Sequence, residues 1–488
     1  MIIFLNILNA FSLFLSVAFQ ILLIRYFGTS LKTDVYYLSI GITQFINSLF
    51  MGFLMDLYIP VYNDVKAKKT EESQKFTGAV FILMSIIGFF VSLVVFIFTP
   101  YIVKIFASGF TFDKISLSSR FLRILCIFII FNSLTGVLNS TLQANMFIYI
   151  TYFPNIISSL FNLGALLIFS KKYGIESIIY AIIFSSIINF FILFHYLKRK
   201  IGWKFSNPFN NNKILDLIKI NIPMRTGNFV YQLQGPITSN ILSYFPTGYI
   251  TLFNYSLQTL NLLFRIINHP VFQVLFVKVS NFISTNKVKE LKDFVFLTAN
   301  TVVILFTIVI WPTLLLYKNI ISFLFIPRVS KEQISIMYFL FLTSIPFYWT
   351  LSFEVPFTNI TMGMKKGFKI LQINVIFIIL YSFFIICGIK FFNIYTIPIA
   401  MFCAQLYNTI SYVNFVNKNF NIIDSKILKT ITKSSIFLAL LIFFNVIFRN
   451  HFLYTIYCNF FLIILVIIFM RKEISFGLQF LIKKGEIR

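Results

Sequence analysis

Two arginines, Arg225 and Arg265, lie in the middle of long apolar stretches, where a cation is costly unless it meets an anion or water. The guanidinium group carries a permanent charge and a fixed fork of N–H donors, which suits phosphate and other oxyanions. Arg225 lies about eleven residues into one stretch and Arg265 about seventeen into the next, so at ~1.5 Å per residue both come near the middle of a bilayer. The pattern favours a site for an anionic group inside a membrane. The alternative is that either arginine pairs with Glu354 or Asp56, or extends to a membrane interface.

Glu354 and Asp56 also lie within apolar stretches. Glu354 comes two residues before Pro356, where the missing N–H is expected to break the backbone hydrogen-bond ladder. A carboxylate in such a place is a candidate site for a proton or a sodium ion, or the partner of an arginine. Asp56 comes four residues before Pro60, close to a predicted interface, where the alternative is a solvated helix end.

Six amide side chains lie on the same stretches and are candidates to hydrogen-bond a polar ligand. Polar residues between membrane helices are as often packing contacts, so the pattern leaves both roles open. These candidates are Gln232, Gln234, Asn139, Gln143, Gln258 and Asn261.

The elements that position these residues are apolar stretches that fill the chain almost from end to end. Apolar residues make up 58% of the 488 and charged residues 11%, whereas a soluble domain carries roughly a quarter charged residues. A helix that crosses the hydrocarbon needs about 20 mostly apolar residues. We therefore predict an all-α, polytopic membrane protein of about fourteen spans. The predicted spans are 2–24, 35–63, 76–99, 119–144, 151–170, 175–197, 214–242, 248–277, 294–316, 333–362, 370–389, 393–416, 430–448 and 453–470.

The distribution of cations predicts that both termini are cytoplasmic. Twenty-six of the 41 Lys and Arg residues then lie in inside segments and thirteen in outside segments, and the remaining two are Arg225 and Arg265. Such an excess is what the positive-inside rule describes. The net charge of +26 is thereby explained by topology and by contact with anionic headgroups. We expect no nucleic-acid partner, since no basic face with interleaved aromatic residues occurs outside the spans.

The sequence offers no motif for a metal or a cofactor. Its cysteines, Cys126, Cys387, Cys403 and Cys458, stand singly within apolar stretches, where a thiol behaves as a small hydrophobe. The three histidines are isolated, and no HExxH, nucleophile-elbow or Walker A motif appears. We expect neither a metal site nor a catalytic site.

A weak internal repeat predicts two six-helix lobes. The segment 59–62 (IPVY), with the charged loop and apolar run after it, resembles the segment 269–272 (HPVF) and its own loop and run. The predicted lobes are residues 1–200 and 213–418, followed at 426–488 by an extra helix pair and a basic tail. Transporters built from such repeats bind their substrate near the midplane, between the lobes.

The segment 25–37 (RYFGTSLKTDVYY), the 59–60 helix ending and the loop with Glu71 and Glu72 resemble the start of the lipid II flippases of the MurJ/MviN family. The stretch 138–156 resembles that family's link between its fourth and fifth helices. Fourteen spans in two lobes also match the larger superfamily, which includes Wzx-like polysaccharide-unit flippases and multidrug extruders. The resemblance implies a multi-pass protein of the bacterial cytoplasmic membrane that moves an undecaprenyl-diphosphate-linked glycan by alternating access.

The chain departs from the lipid II flippases at the cavity arginines of their first, second and eighth helices, and at an acidic residue in the second. We therefore interpret the substrate first as an O-antigen, capsule or similar polysaccharide unit, and keep lipid II as the alternative. Multidrug exporters and membrane glycan polymerases or ligases are further alternatives. The positions concerned are Leu13, Phe19, Ile46, Asn47, Met51 and Gln258.

On this interpretation Arg225 and Arg265 hold the diphosphate, and Glu354 and Asp56 are candidates for coupling to an ion. The six amides line a pathway for the sugar. The drive is a proton gradient, a sodium gradient or the membrane potential, and the sequence does not distinguish them. We expect no cofactor, a monomer, and contacts with glycan-assembly enzymes and anionic lipid headgroups.

Overall fold

The structure is a computed structural model whose described part is helical. Within that part it contains no strand, which confirms the predicted fold class at this level. The beginning of the seventh predicted span and all of the fourteenth lie outside the described residues. The described ranges are 2–208, 225–284, 287–325, 328–364, 366–422 and 425–447.

The first six long helices of this part correspond to the first six predicted spans. Most run beyond the predicted limits, because polar ends continue a helix past the hydrocarbon. At the start of α2 the Ser30 side chain accepts from the Thr33 N–H, and the Thr33 hydroxyl accepts from the Ser30 N–H, which forms a capping box. The helices are α1 Ile2–Phe27, α2 Leu31–Lys68, α3 Thr70–Phe106, α4 Phe112–Ala144, α5 Phe153–Ile168 and α6 Glu176–Lys200.

After residue 208 the description resumes with a helical run at 225–232, followed by α7. Leu233 interrupts the helix, three residues before Pro236, whose ring nitrogen cannot donate to the carbonyl of Gln232. The predicted division between the seventh and eighth spans is present, and Gly248 adopts a φ of +99° at this turn. The helices are α7 Gln234–Leu242, α8 Tyr249–Ser284, α9 Val288–Phe325, α10 Lys331–Gly363, α11 Gly367–Phe392, α12 Thr396–Phe420 and α13 Ser425–Ile447.

By length and composition, 8 helical stretches of the described part are able to cross a membrane, and one of them, Gly367–Phe420, contains both α11 and α12. The outward faces of these helices are apolar. Phe89 and Phe90 on α3 and Phe184 on α6 are each more than 60% exposed, as expected for side chains that contact lipid rather than water.

Helix α10 passes through Pro346 and Pro356 without interruption. The predicted span 333–362 is thus a single helix, and the missing N–H of Pro356 does not end it. A proline removes one donor, but α9 and α12 pack on α10 along its length and hold it in place.

The described helices form two compact units. The first comprises Met1–Thr251 with Pro327–Val329. Its core includes stacked rings of Tyr58, Tyr62 and Phe76. The Tyr58 hydroxyl also lies 3.0 Å from the Thr77 hydroxyl and 2.7 Å from that of Thr141, so one buried tyrosine joins α2, α3 and α4.

The second unit comprises Leu252–Ile326 with Ser330–Arg488. In its described part α10 packs between α9 and α12, and Tyr317 stacks on Phe341 at 3.9 Å between ring centroids. The two units divide at Thr251, whereas the sequence prediction places the division near residues 200–213. A division into compact units does not show whether the chain contains two repeats, so the two six-helix lobes stay a prediction.

Candidate functional site

Arg225 lines a small cavity in the first unit. The cavity has a volume of about 170 Å³ and lies between α2 and the helical run 225–232. On the α2 side Ser48 donates a hydrogen bond to the Gln232 side-chain oxygen. The rings of Phe45 and Phe229 lie 5.6 Å apart in the same contact. The full lining is Ser48, Leu49, Arg225, Thr226, Asn228, Phe229 and Gln232.

The size and lining of this cavity suit a small anion. Its volume corresponds to roughly five or six water molecules at ~30 Å³ each, which is room for a phosphate group with some of its hydration. One guanidinium and several neutral donors face the space, and no acidic side chain lines it. Two of the sequence candidates, Arg225 and Gln232, thus lie at one site.

Arg265 belongs to the second unit, where it lies on α8 with an exposed side chain. An exposed arginine on a membrane helix is accessible to a ligand or a lipid headgroup. Each arginine is described within its own unit, so the joint binding of one diphosphate by Arg225 and Arg265 stays a prediction.

Three other polar candidates of the first unit lie apart from the Arg225 cavity lining. Gln143 is exposed at the end of α4. Asn139 and Gln234 are partly buried, and the side-chain oxygen of Asn139 and the side-chain nitrogen of Gln234 have no hydrogen-bond partner among the described residues. Buried amide atoms of this kind need water or a ligand.

The remaining two amides lie on α8 in the second unit. Asn261 is exposed, and the buried side-chain oxygen of Gln258 has no hydrogen-bond partner in the part of the chain that is described. Neither observation assigns a sugar to these residues, and the polar pathway stays a prediction.

Glu354 is buried in the second unit, with 5% of its surface exposed. Thr358, one turn further along α10, donates to its carboxylate at 2.8 Å. From α12 the Gln405 amide and the Thr409 hydroxyl donate to the other oxygen, Thr409 at 3.3 Å. Among the described residues no Lys or Arg lies within ion-pair distance of this carboxylate. Neutral donors therefore surround it, and its charge needs a proton or a cation to be balanced.

Asp56 lies in α2, four residues before Pro60, as the sequence predicts. Its side chain is outside the part that the structure describes.

Asp34, which the sequence reasoning did not select, is a buried carboxylate with several partners in the first unit. It is 1% exposed. Its carboxylate accepts from the Gly248 N–H at 2.6 Å, and from the Thr251 N–H and hydroxyl at 3.0 and 2.6 Å. The Lys114 ammonium lies 3.9 Å away. Because Thr251 lies in the first turn of α8, Asp34 caps that helix from α2 and satisfies N–H groups that have no partner within the helix.

The only sequence signal for this role was an acidic residue in the first turn of α2, which usually indicates a favourable contact with the helix dipole. This contact joins residues that are 217 positions apart, so no local sequence pattern indicates it.

Asn47, one of the positions where a family arginine was expected, is a second buried polar group on α2. It is 7% exposed, and neither its side-chain oxygen nor its nitrogen has a hydrogen-bond partner among the described residues. The neighbouring Ile46, at another of these positions, is an apolar core residue.

A comparison with protein families gives a match over residues 23–467 to the model described as the lipid II flippase MurJ. This match covers most of the chain. The chain belongs to the MurJ family. The resemblance read from the N-terminal motifs is thereby confirmed, as is the assignment to a multi-pass protein of the inner membrane.

Two curated relatives carry the same description. A probable lipid II flippase MurJ of Buchnera aphidicola subsp. Schizaphis graminum is 27% identical over 286 residues, which cover 56% of this chain and 54% of the relative. The lipid II flippase MurJ of Thermosipho africanus is 28% identical over 188 residues, 38% of each chain. The matched stretches thus span about half the length of the first relative and less of the second.

Solved structures of the superfamily share the fold. An inward closed conformation of the lipid II flippase MurJ superposes with a TM-score of 0.78 at 21% identity, over 97% of this chain and all (100%) of that one. An inward-facing multidrug MATE transporter of the MOP superfamily gives 0.69 at 14% identity, over 85% and 95%. At these identities the likeness concerns the fold. Membership of a flippase family agrees with the expectation of a transporter rather than an enzyme.

Proposed function

We propose that the protein moves the lipid-linked peptidoglycan precursor lipid II across the cytoplasmic membrane. The observation that carries the proposal is the family match over 23–467. In support, the Arg225 cavity contains a cation that a diphosphate would need, and the sequence predicts that this cation lies near the middle of the bilayer.

The choice of lipid II revises our first interpretation of the sequence, which placed a polysaccharide unit ahead of lipid II. The family and the curated relatives are described as lipid II flippases, and they favour the alternative. The residues at the expected arginine positions, among them Leu13, Phe19 and Asn47, still support a polysaccharide unit as the second candidate. Both substrates carry the same undecaprenyl diphosphate, so the anion site serves either.

The proposed mechanism is alternating access. The diphosphate headgroup enters from the inner leaflet while the polyprenyl tail remains in lipid. Arg225 donates charge-assisted hydrogen bonds to the diphosphate, helped by Arg265, and the amides contact the sugar. A conformational change then opens the site to the other side, where the headgroup leaves. No covalent bond changes, and a monomer is sufficient for this cycle.

Glu354 is the proposed coupling site. Two hydroxyls and one amide around the carboxylate are able to stabilise it as an anion or to rearrange around a bound sodium ion. Binding of a proton or a sodium ion neutralises the carboxylate inside the hydrocarbon. The ion therefore favours the protein conformation to which it binds more tightly. Asp56 is a further candidate for the same role.

Complementation distinguishes the two substrates. The protein is expressed in a host depleted of its lipid II flippase, and separately in a host that lacks its O-unit flippase, with expression matched by immunoblot. Restored viability in the first host supports the proposal. Restored surface polysaccharide in the second host alone overturns the lipid II assignment in favour of the polysaccharide unit.

A further inference from the structure

An apolar cleft lies between α5 and α6, within the first unit. Its volume is about 640 Å³, and its lining contains no charged side chain. Both helices are among the stretches able to cross a membrane. An apolar cleft in such a place faces hydrocarbon, where a lipid chain rather than water fills it.

The cleft is the space between the facing sides of α5 and α6. Small residues form its floor, with Gly164 on α5 and Ala181 on α6, while Phe161, Tyr180 and Phe184 form the rim with exposed rings. A Cβ atom placed on Gly164 would meet nothing within 4 Å. The floor is therefore open space rather than a close contact between the helices.

Cations lie where the cleft ends, just past the last residue of α5. Lys171 and Lys172 are both exposed, and the Lys172 ammonium lies 5.3 Å from the ring centroid of Tyr173, which lines the cleft. The nearby carboxylate of Glu176 is already paired with Arg120 at 3.1 Å. Two cations thus lie beside the end of an apolar cleft. The cations suit the phosphate of a lipid, and the cleft suits its acyl chain.

We propose that this cleft binds one anionic phospholipid, with an acyl chain between α5 and α6 and its phosphate beside Lys171 and Lys172. In the predicted orientation this lipid belongs to the outer leaflet. The site goes beyond the proposed function, because none of the residues that line the cleft lines the Arg225 cavity. Helix α5 packs on α1 and α6.

The test is native mass spectrometry of the full-length protein with phosphatidylglycerol and with phosphatidylcholine as probes. The wild type is expected to retain one phosphatidylglycerol molecule under activation that removes phosphatidylcholine. Gly164→Leu fills the floor, and a leucine in a helix does not weaken it, so this variant is expected to fold and to lose the retained lipid. The double substitution Lys171→Gln with Lys172→Gln is expected to weaken binding by about fivefold per lysine.

Matched controls separate the site from general effects. Ile97→Phe enlarges an exposed apolar side chain on α3, and Lys104→Gln with Lys390→Gln removes two exposed charges on the same predicted side of the membrane. Both controls are expected to keep the lipid.

Three outcomes would overturn the proposal. The first is equal retention of phosphatidylglycerol by the wild type, Gly164→Leu and the double lysine variant. The second is displacement of phosphatidylglycerol by a lower concentration of undecaprenyl phosphate, which would assign the cleft to the prenyl chain of the substrate. The third is a change of oligomeric state in Gly164→Leu, which would make the cleft an interface between copies.

Discussion

Replacement of Asp34 by Asn tests how the beginning of α8 is held. The carboxylate accepts hydrogen bonds from the backbone N–H groups of Gly248 and Thr251 at 2.6 and 3.0 Å. Asparagine has nearly the same shape but only one acceptor oxygen, and its NH₂ group then faces a backbone donor. At least one of the two buried N–H groups then loses its hydrogen-bond acceptor.

The magnitude follows from the nature of these bonds. A hydrogen bond to a charged group contributes about 1.5–3 kcal/mol, and ~1.4 kcal/mol is a tenfold change in an equilibrium constant. Loss of one such bond therefore raises the population of the open turn by roughly ten- to a hundredfold.

Amide hydrogen exchange measured by mass spectrometry on a peptide that covers residues 246–253 reports this opening directly. Asp34→Asn is expected to accelerate exchange there by the same factor, while peptides from α9 and α10 remain unchanged. Asp113→Asn is the matched control, because Asp113 lies in the first turn of α4 with an exposed side chain. Equal exchange rates in the two variants would refute the role assigned to Asp34.

Three further perturbations test other parts of the account. Arg225→Gln is expected to weaken binding of a diphosphate-linked substrate by about ten- to a hundredfold through the loss of charge-assisted hydrogen bonds, with Arg225→Lys intermediate. Isothermal titration measures this, and unchanged affinity in both variants would remove Arg225 from the site. Glu354→Gln is expected to abolish the dependence of transport on a proton or sodium gradient in proteoliposomes, and a gradient dependence equal to wild type would exclude the coupling role. Gly78→Ala is expected to destabilise the protein by ~1–3 kcal/mol, because the new Cβ would clash with the Lys204 carbonyl oxygen. A melting curve that matches that of Gly164→Ala, where the space is open, would contradict that packing.

The helical architecture was predictable because hydrocarbon leaves few alternatives. A backbone in lipid must satisfy its own hydrogen bonds, so a long apolar stretch indicates a helix. The turn between the seventh and eighth spans was also readable from Pro246 and Gly248, and Gly248 does adopt a positive φ there. The span 333–362 was likewise predicted as one helix through Pro356, whereas the packing of α9 and α12 on it was not, because those neighbours are distant in sequence.

The candidate site was predictable in part. Arg225 and Gln232 stood out as polar residues in an apolar stretch, and both line one cavity. The partners of Glu354 were not predicted, because Gln405 and Thr409 belong to types that occur on many membrane helices without a role. Asp34 was missed because its hydrogen-bond partners Gly248 and Thr251 lie more than 200 positions away, and no local pattern encodes that distance.

The central claim is that this protein moves a diphosphate-linked lipid through a site that contains Arg225. The most direct test is transport of fluorescently labelled lipid II in proteoliposomes, followed by loss of signal to an external quencher, with a labelled polysaccharide-unit lipid in parallel. The account predicts that the wild type moves lipid II faster than the polysaccharide-unit lipid and that Arg225→Gln slows it at matched reconstitution. Movement of neither lipid by the wild type, or equal rates with and without the Arg225 side chain, would contradict it.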